Sequence, residues 1–203
     1  MSDDEITRLF RVRRTVIQML GDRGYLVDEK ETTRDVFITK YTEQKCLKRE
    51  LLAELFSKKD NSDQIYVFYP DEQKVGVKTL KAYMTRMQSE NVSKAVVVVQ
   101  KSVTPFAKNS LMEVRAKFDL EVFEEEELLV NITQHCLVPK HEVLTPEQKK
   151  MLLDQHSLKD TQLPRMLKKD PIARYYGLKN GQIVKITRDS ETAGKYVTYR
   201  IVV

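Results

Sequence analysis

The sequence predicts an α/β protein with a larger N-terminal domain and a smaller C-terminal domain. Two runs of apolar, aromatic and β-branched residues, 65–69 and 95–99, are typical of strands buried on both faces of a sheet. Apolar residues at helical spacing lie around these runs, and strands that alternate with helices are typical of an α/β layer structure. Residues 163–203 show a separate pattern of one short helix and two strands, which predicts the second domain.

The chain is predicted to begin with an amphipathic helix. Ser2 and Glu5 have the spacing of a capping box, and the helical apolar pattern continues to Gly21. Three basic residues lie off the apolar face: Arg8, Arg11 and Arg14. We interpret them as a solvated helix surface; contact with DNA is the alternative, which the lack of interleaved aromatic residues disfavours.

The pattern between the first helix and the first buried strand is mixed. Thr33 occupies the cap position of a short predicted helix over 34–41. Residues 49–57 are rich in Leu, Ala and Glu, so their intrinsic propensity favours a helix. Four polar residues at 60–63 then indicate a turn before the buried strand.

Three further elements are predicted in the middle of the chain. Apolar residues at helical spacing from Leu80 to Met87 predict a helix of about three turns. Thr104 and Pro105 are typical first residues of another helix, and 120–123 is predicted to be a short strand. We expect Leu111, Met112 and Val114 to form the buried side of the second helix. The glutamates at 124–127 are interpreted as the solvated start of a helix, where acidic groups interact favourably with the helix dipole.

Residues 135–140 are predicted to be a link. Thr145 and Pro146 are expected to begin a helix that continues to Asp154. The chain then reaches Leu163, where the last helix and the two final strands follow.

Helix-capping and turn residues predict the elements near the end of the chain. Asp170 and Pro171 predict a helix start, because an Asp oxygen caps free N–H groups and proline lacks the N–H that would stay unpaired there. Gly177 is placed to end that helix in the left-handed conformation. Asn180 and Gly181 indicate a tight turn, after which β-branched residues predict two strands.

Charge is distributed unevenly along the chain. Residues 140–203 carry 13 Lys and Arg against 7 Asp and Glu, a balance of +6, whereas residues 1–139 carry 22 against 23. The basic excess of the whole chain, +5, therefore belongs to the C-terminal third. A surface of this charge suits an acidic protein or nucleic acid, and the sequence alone leaves both open.

Composition predicts a soluble protein that stays inside the cell. No apolar run approaches the roughly 20 residues that a membrane helix needs, and the first residues are acidic rather than those of a secretion signal. Cys46 and Cys136 lie far apart and predict no disulfide framework, in agreement with a reducing compartment.

Residues that resemble catalytic or metal sites give weak signals. Glu72 and Lys74 have the acid-x-lysine spacing of metal-dependent nucleases, but Asp71 adjoins Glu72 in a proline turn, so the two carboxylates are expected to point apart. Three residues of zinc-binding type lie close in sequence: His135, Cys136 and His141. No fourth ligand has the usual spacing, so we expect structural side chains and no metal. Residues 190–194 lack the glycines of a phosphate-binding loop.

Four stretches together resemble one known family. They are DRGYLV (22–27), DQIYVFYPDEQKVGVKT (63–79), LLVNITQHCLVPKHEVL (128–144) and LPRMLKKDPIARYYGLKNGQIVKI with SETAG and YVTYR (163–200). The sequence is similar in order and spacing to the fifth subunit shared by the eukaryotic nuclear RNA polymerases, and its C-terminal part resembles the archaeal counterpart of that subunit. Asn180 stands where the family usually has a basic residue, and Asp189 where it has proline. Residues 28–59 are unlike the family pattern.

The resemblance implies a fold and a function. It implies a three-layer, nuclease-like α/β jaw domain over 1–134 and a small α/β assembly domain over 135–203. It also implies a strand within 49–57, paired by a hairpin with 64–69, against the helical propensity of that segment. The chain would be a non-catalytic subunit of nuclear RNA polymerase II, and of I and III, without a cofactor, located in the nucleus. The alternatives are a metal-dependent nuclease-like enzyme and a free-standing transcription adaptor.

Two sets of site residues accompany this interpretation. The loop TPFAK would lie close to downstream duplex DNA; the DNA-proximal residues are Lys101, Thr104, Pro105, Phe106 and Lys108. Any contact is expected to be with the phosphate backbone and salt-sensitive, and Phe106 stands where small residues are common in the family. The second set would dock on the largest polymerase subunit: Arg165, Asp170, Pro171, Arg174, Tyr175, Tyr176, Gly177, Lys179, Gly181 and Arg200. We expect one of Tyr175 and Tyr176 to be an ordinary core ring.

Overall fold

A computed structural model of the chain describes residues 3–27, 33–43, 46–47, 49–58, 63–114, 117–192 and 194–203. The chain forms two compact units, Met1–Val130 and Asn131–Val203, which we name the N-terminal unit and the C-terminal unit. The two units divide between residues 130 and 131; the family resemblance implies domains of 1–134 and 135–203. Ser2 and the turn at 60–62 fall outside the described residues.

The N-terminal unit contains five helices and eight strands among its described residues. The helices are α1 Asp3–Asp22, α2 Arg34–Tyr41, α3 Val77–Ser89, α4 Pro105–Val114 and α5 Glu125–Leu128, with a 3-10 helix at Arg49–Leu52. The strands are β1 Thr42–Glu43, β2 Cys46–Leu47, β3 Glu54–Ser57, β4 Gln64–Phe68, β5 Lys74–Val75, β6 Lys94–Val99, β7 Ser102–Val103 and β8 Asp119–Glu124. This alternation is the α/β arrangement that the sequence predicts.

The main sheet of the N-terminal unit has the strand order β3-β4-β6-β8. Strands β4, β6 and β8 are parallel, because α3 and α4 supply the crossover connections, and β3 pairs antiparallel with β4. Residues 95–99 of β6 are all buried, which explains why this strand carries five consecutive apolar residues without a polar face. The β3–β4 pair corresponds to the hairpin that the family resemblance implies.

The segment 49–57 divides into two conformations. A 3-10 helix occupies Arg49–Leu52, and strand β3 follows, with Glu54 opposite Val67 and Phe56 opposite Ile65. The strand implied by the resemblance is therefore confirmed, and the α-helix favoured by propensity is wrong. Pairing with β4 overrides a weak local preference of Leu, Ala and Glu.

Helix α4 begins as predicted but buries a different face. The Thr104 hydroxyl accepts a hydrogen bond from the N–H of Ala107 at 3.4 Å, and Pro105 is the first helical residue. Ala107 and Leu111, four residues apart, face the core, whereas Met112 is 66% exposed. The expectation that Met112 is buried was wrong, because the 107/111 stripe points one helical step away from it.

The C-terminal unit is a four-stranded sheet between two helices. Its strands are β9 Lys140–Val143, β10 Arg165–Met166, β11 Ile183–Ser190 and β12 Gly194–Val202, in the order β10-β12-β11-β9; its helices are α6 Pro146–His156 and α7 Pro171–Tyr175. Val184 and Val202 pack with α7 on one face, and Ile183 and Ile201 pack with α6 on the other. The two predicted final strands are confirmed, and β9 extends the sheet beyond them.

Candidate functional site

The loop before α4 is fastened to the loop before α3. Strands β5 and β7 form a short parallel pair that places Lys74 opposite Ser102 and Val75 opposite Val103. The N–H of Thr104 donates to the Val75 carbonyl at 3.1 Å. These bonds hold the start of α4 next to strand β5.

The same junction carries exposed basic and aromatic side chains. Lys101 and Lys108 are exposed, Phe106 is 80% exposed, and Thr104 is half-buried because its hydroxyl caps α4. Lys74, which belongs to the nuclease-like sequence pattern, is exposed beside them. Among the described residues, no carboxylate forms an ion pair with these three lysines. Unpaired cations beside a helix N-terminus suit phosphate oxygens.

The two carboxylates of the nuclease-like pattern have separate structural roles. Glu72 accepts hydrogen bonds from the Thr79 hydroxyl at 2.9 Å and from the Gly76 N–H at 3.4 Å, and so ties the preceding turn to the start of α3. Asp71 instead faces Arg49, with 3.8 Å between its carboxylate and the guanidinium. The carboxylates of Asp71 and Glu72 therefore bind different groups, in agreement with the expectation that they point apart.

Zinc-type residues also take local roles. The Nδ1 atom of His135 accepts from the Leu137 N–H at 3.2 Å, and Nδ1 of His141 lies 2.6 Å from the Pro139 carbonyl. Cys136 is exposed. Within the part of the chain that the structure describes, no three His, Cys, Asp or Glu side chains converge in a way that could hold a metal ion.

A buried ionic cluster joins α1, the 3-10 helix and α5. Glu125 is 2% exposed; one of its carboxylate oxygens lies 2.5 Å from Nη1 of Arg49 and the other lies 3.1 Å from Nε of Arg8. The interpretation of 124–127 as solvated is therefore wrong for Glu125, and Arg8 is not merely a solvated residue. Nothing in the local sequence separates Glu125 from its three acidic neighbours.

A second buried cluster surrounds Arg13 in α1. Its guanidinium donates to the Leu52 carbonyl at 3.2 Å, to the Tyr41 hydroxyl at 2.6 Å and to Glu54 at 2.6 Å. Burial, together with the hydrogen bond to Glu54, raises the pKa of Tyr41 to about 12. Burial alone would raise the pKa of Glu54, but hydrogen bonds from Tyr41 and Arg13 hold that pKa below its ordinary value. The cluster fixes α1 against Leu52, Tyr41 and Glu54.

The predicted docking residues of the C-terminal unit divide into surface and structural residues. Four are exposed: Arg165, Pro171, Lys179 and Arg200. Arg174 and Tyr176 are half-buried, and Tyr175 is 4% exposed, with its hydroxyl 3.1 Å from Nδ2 of Asn131. The expectation that one of the two tyrosines is a core ring is confirmed.

Three predicted docking residues shape the backbone around α7. Asp170 caps the helix, since its Oδ1 accepts from the Ile172 N–H at 2.9 Å. Gly177 has φ of 62° and Gly181 has φ of 85°, values that glycine adopts without the steric penalty that a side chain brings. These three residues therefore have a structural role, which is to position the exposed arginines and Lys179. They keep that role whether or not the three residues themselves contact a partner.

The chain matches one protein family along both units. Residues 3–87 match the family model described as RNA polymerase Rpb5, N-terminal domain, and residues 130–202 match RNA polymerase Rpb5, C-terminal domain. Within the described residues, every helix is too short or too polar to cross a membrane.

Three curated relatives illustrate the similarity. The chain is 49% identical to the Caenorhabditis elegans protein named DNA-directed RNA polymerases I, II, and III subunit RPABC1, with all of both chains covered. It is 48% identical to the Dictyostelium discoideum protein of the same name, over 98% of this chain and all of the relative. It is 46% identical to the Arabidopsis thaliana DNA-directed RNA polymerase subunit 5-like protein 1, over 99% and 98% of the two chains. This chain therefore belongs to the RNA polymerase Rpb5 family.

Proposed function

We propose that the chain is a non-catalytic subunit shared by the nuclear RNA polymerases I, II and III. The observation that carries this proposal is the full-length identity of 48–49% to proteins named as subunits of all three polymerases. Nucleotide addition would then occur in the large subunits, and the chain would act in the nucleus. These comparisons favour neither of the two alternatives, a nuclease-like enzyme and a free-standing adaptor.

The C-terminal unit is proposed to attach the chain to the largest subunit. Its charge balance of +6 over 140–203 suits an acidic protein surface, and exposed arginines are frequent anchors of protein interfaces. Arg165 lies at the edge strand β10, and Arg174 lies in α7. Both therefore belong to the parts of the unit that the family resemblance assigns to docking.

Charge reversal at Arg165 and Arg174 together is expected to weaken assembly. In affinity purification from native extract, the wild-type chain should bring the large polymerase subunits with it, whereas Arg165→Glu/Arg174→Glu should lose most of them at raised salt. Lys150→Glu/Lys195→Glu is the matched control, because it makes the same change of charge at two exposed positions outside this set. Wild-type chain without large subunits would contradict the proposed function, and an unaffected double variant would contradict this docking surface alone.

The N-terminal unit is proposed to lie beside the phosphate backbone of downstream DNA. The start of α4 carries the exposed Lys101 and Lys108, and the β5–β7 pair places Lys74 opposite Ser102 beside them. Phe106 is exposed among these cations and offers apolar area beside the backbone. The contact is electrostatic and independent of DNA sequence.

Reversal of two lysines is expected to reduce the salt dependence of DNA retention. In assembled polymerase carrying Lys101→Glu/Lys108→Glu, the slope of log K against log salt for downstream duplex should fall by about 2, because each phosphate contact contributes about 0.9 to the slope. Lys81→Glu/Lys117→Glu is the control, since these exposed lysines lie outside the β5–β7 junction. An unchanged slope in the first variant would exclude the contact without affecting the assignment as a subunit.

A further inference from the structure

Two loops of the N-terminal unit are joined by three separate contacts. Residues 69–76 run from β4 to α3, and residues 100–104 run from β6 to α4; we name them together the loop pair. The β5–β7 pairing and the bond from the Thr104 N–H to the Val75 carbonyl are two of the contacts. The third comes from a side chain, since Nε2 of Gln100 donates to the Asp71 carbonyl at 2.7 Å. Because these contacts hold the second loop at its start, middle and end, the two loops form one body.

The strand register of the loop pair turns Lys74 toward solvent. Opposite residues of paired strands point to the same face, and neighbouring strands lie about 5 Å apart. Val75 and Val103 are opposite each other and both are buried, so Lys74 and Ser102 point away from the core. The Lys74 side chain therefore begins one strand spacing from Ser102, the residue that directly follows Lys101.

The two acidic residues that precede Lys74 are bound to other groups. The Asp71 carboxylate lies 3.8 Å from the Arg49 guanidinium, and Glu72 accepts from the Thr79 hydroxyl and the Gly76 N–H. Within the described ranges, neither carboxylate forms an ion pair with Lys74. The charge of Lys74 is thus available to an external anion, although two carboxylates lie within three residues of it in sequence.

Gln100 links the backbone next to Lys101 with the turn that carries Lys74. Its side chain binds the carbonyl of Asp71, three residues before Lys74, and its own backbone adjoins Lys101. Two cations that must contact phosphates of one DNA backbone bind better when their spacing is set before binding, because less ordering is needed in the complex. The Gln100 bond supplies that constraint at the end of the loop that bears Lys101.

We propose that Lys74 is a third phosphate-contacting residue beside Lys101 and Lys108, and that Gln100 is the positioning residue that sets the spacing of Lys74 and Lys101. The inference rests on the proposed function, since it takes the bound anion to be the backbone of downstream DNA. It also gives the acid-x-lysine pattern a role other than metal-dependent cleavage: Glu72 shapes the turn, and Lys74 binds phosphate.

Neutralising Lys74 tests the third contact. In assembled polymerase, Lys74→Gln should lower the slope of log K against log salt for downstream duplex by about 1, because one phosphate contact contributes about 0.9. Lys117→Gln removes the same charge from an exposed lysine outside the loop pair and should leave the slope unchanged. An unchanged slope for Lys74→Gln, where Lys101→Glu/Lys108→Glu does lower it, would overturn this inference alone. Unchanged slopes in both variants would contradict the proposed DNA contact as well.

A double-mutant cycle tests Gln100 apart from folding. Gln100→Leu removes the donor and should weaken duplex binding about threefold, within the range for one neutral hydrogen bond. In the Lys74→Gln background the same change should weaken binding by less than about 1.5-fold, because the lysine that Gln100 positions is absent. Gln73→Leu, the same substitution at an exposed residue next to Lys74, is the matched control and should leave binding unchanged. Equal losses from Gln100→Leu in the two backgrounds would show a structural role only and would refute the positioning.

Discussion

Replacing Arg49 with methionine is expected to lower the free energy of unfolding of the N-terminal unit by about 3–5 kcal/mol. Arg49 is 8% exposed, and its guanidinium is the buried partner of Glu125, which is 2% exposed. The substitution would leave a buried carboxylate with Arg8 alone, and the Arg8 side chain is 42% exposed. A buried charge that loses its main partner keeps the cost of its desolvation without the compensating attraction.

Hydrogen exchange of the β6 amides measures this loss, since these buried strand amides exchange through opening of the unit. The double variant Arg49→Met/Glu125→Leu should recover most of the stability, because it removes both charges and keeps apolar volume. Glu126→Gln is the control at an exposed neighbouring position and should change stability by no more than about 0.5 kcal/mol. Equal destabilisation by the single and double variants would show that packing, not the ion pair, holds this site.

Replacing Phe68 with alanine is expected to destabilise the same unit by about 3–5 kcal/mol. Phe68 is 1% exposed and lies between two rings: its centroid is 4.3 Å from that of Tyr83 and 5.0 Å from that of Tyr66. Alanine would leave a cavity between β4 and α3 and would remove both ring contacts, which contribute beyond their buried area.

Phe106→Ala is the matched control for this substitution. It deletes the same atoms from a side chain that is 80% exposed, so stability should change by no more than about 0.5 kcal/mol. The same amide-exchange measurement gives both values. A loss below about 1 kcal/mol for Phe68→Ala would mean that the sheet and α3 close the cavity on relaxation.

Local signals in the sequence predicted most of the elements. Thr104 with Pro105, and Asp170 with Pro171, begin helices because caps and proline act within one turn of the chain. The strand at 95–99 could be predicted because its five consecutive apolar residues leave no polar face for solvent, and all five are buried in the structure. For 49–57 the local signal misled, and only resemblance to a family located β3.

Features that depend on distant residues could not be predicted from the sequence. Glu125 is buried because Arg49, 76 residues earlier, is brought to it by the fold, and no local pattern marks that pairing. Lys74 joins the basic surface at α4 only through the β5–β7 register. The stacking of Arg188 on the Tyr196 ring likewise requires the β11–β12 register. Side-chain types were visible in the sequence, but their spatial neighbours were not.

The order of strands in the two sheets affects how each unit forms during synthesis. In the N-terminal unit, β3, β4, β6 and β8 are neighbours in the order in which the ribosome makes them, so each new strand finds its partner already present. In the C-terminal unit β12 lies between β10 and β11, so β10 has no neighbour until the last of these strands has emerged. Nascent chains are thus expected to present unpaired edges of β10 and β11 at a late stage, when chaperones are most needed to prevent aggregation.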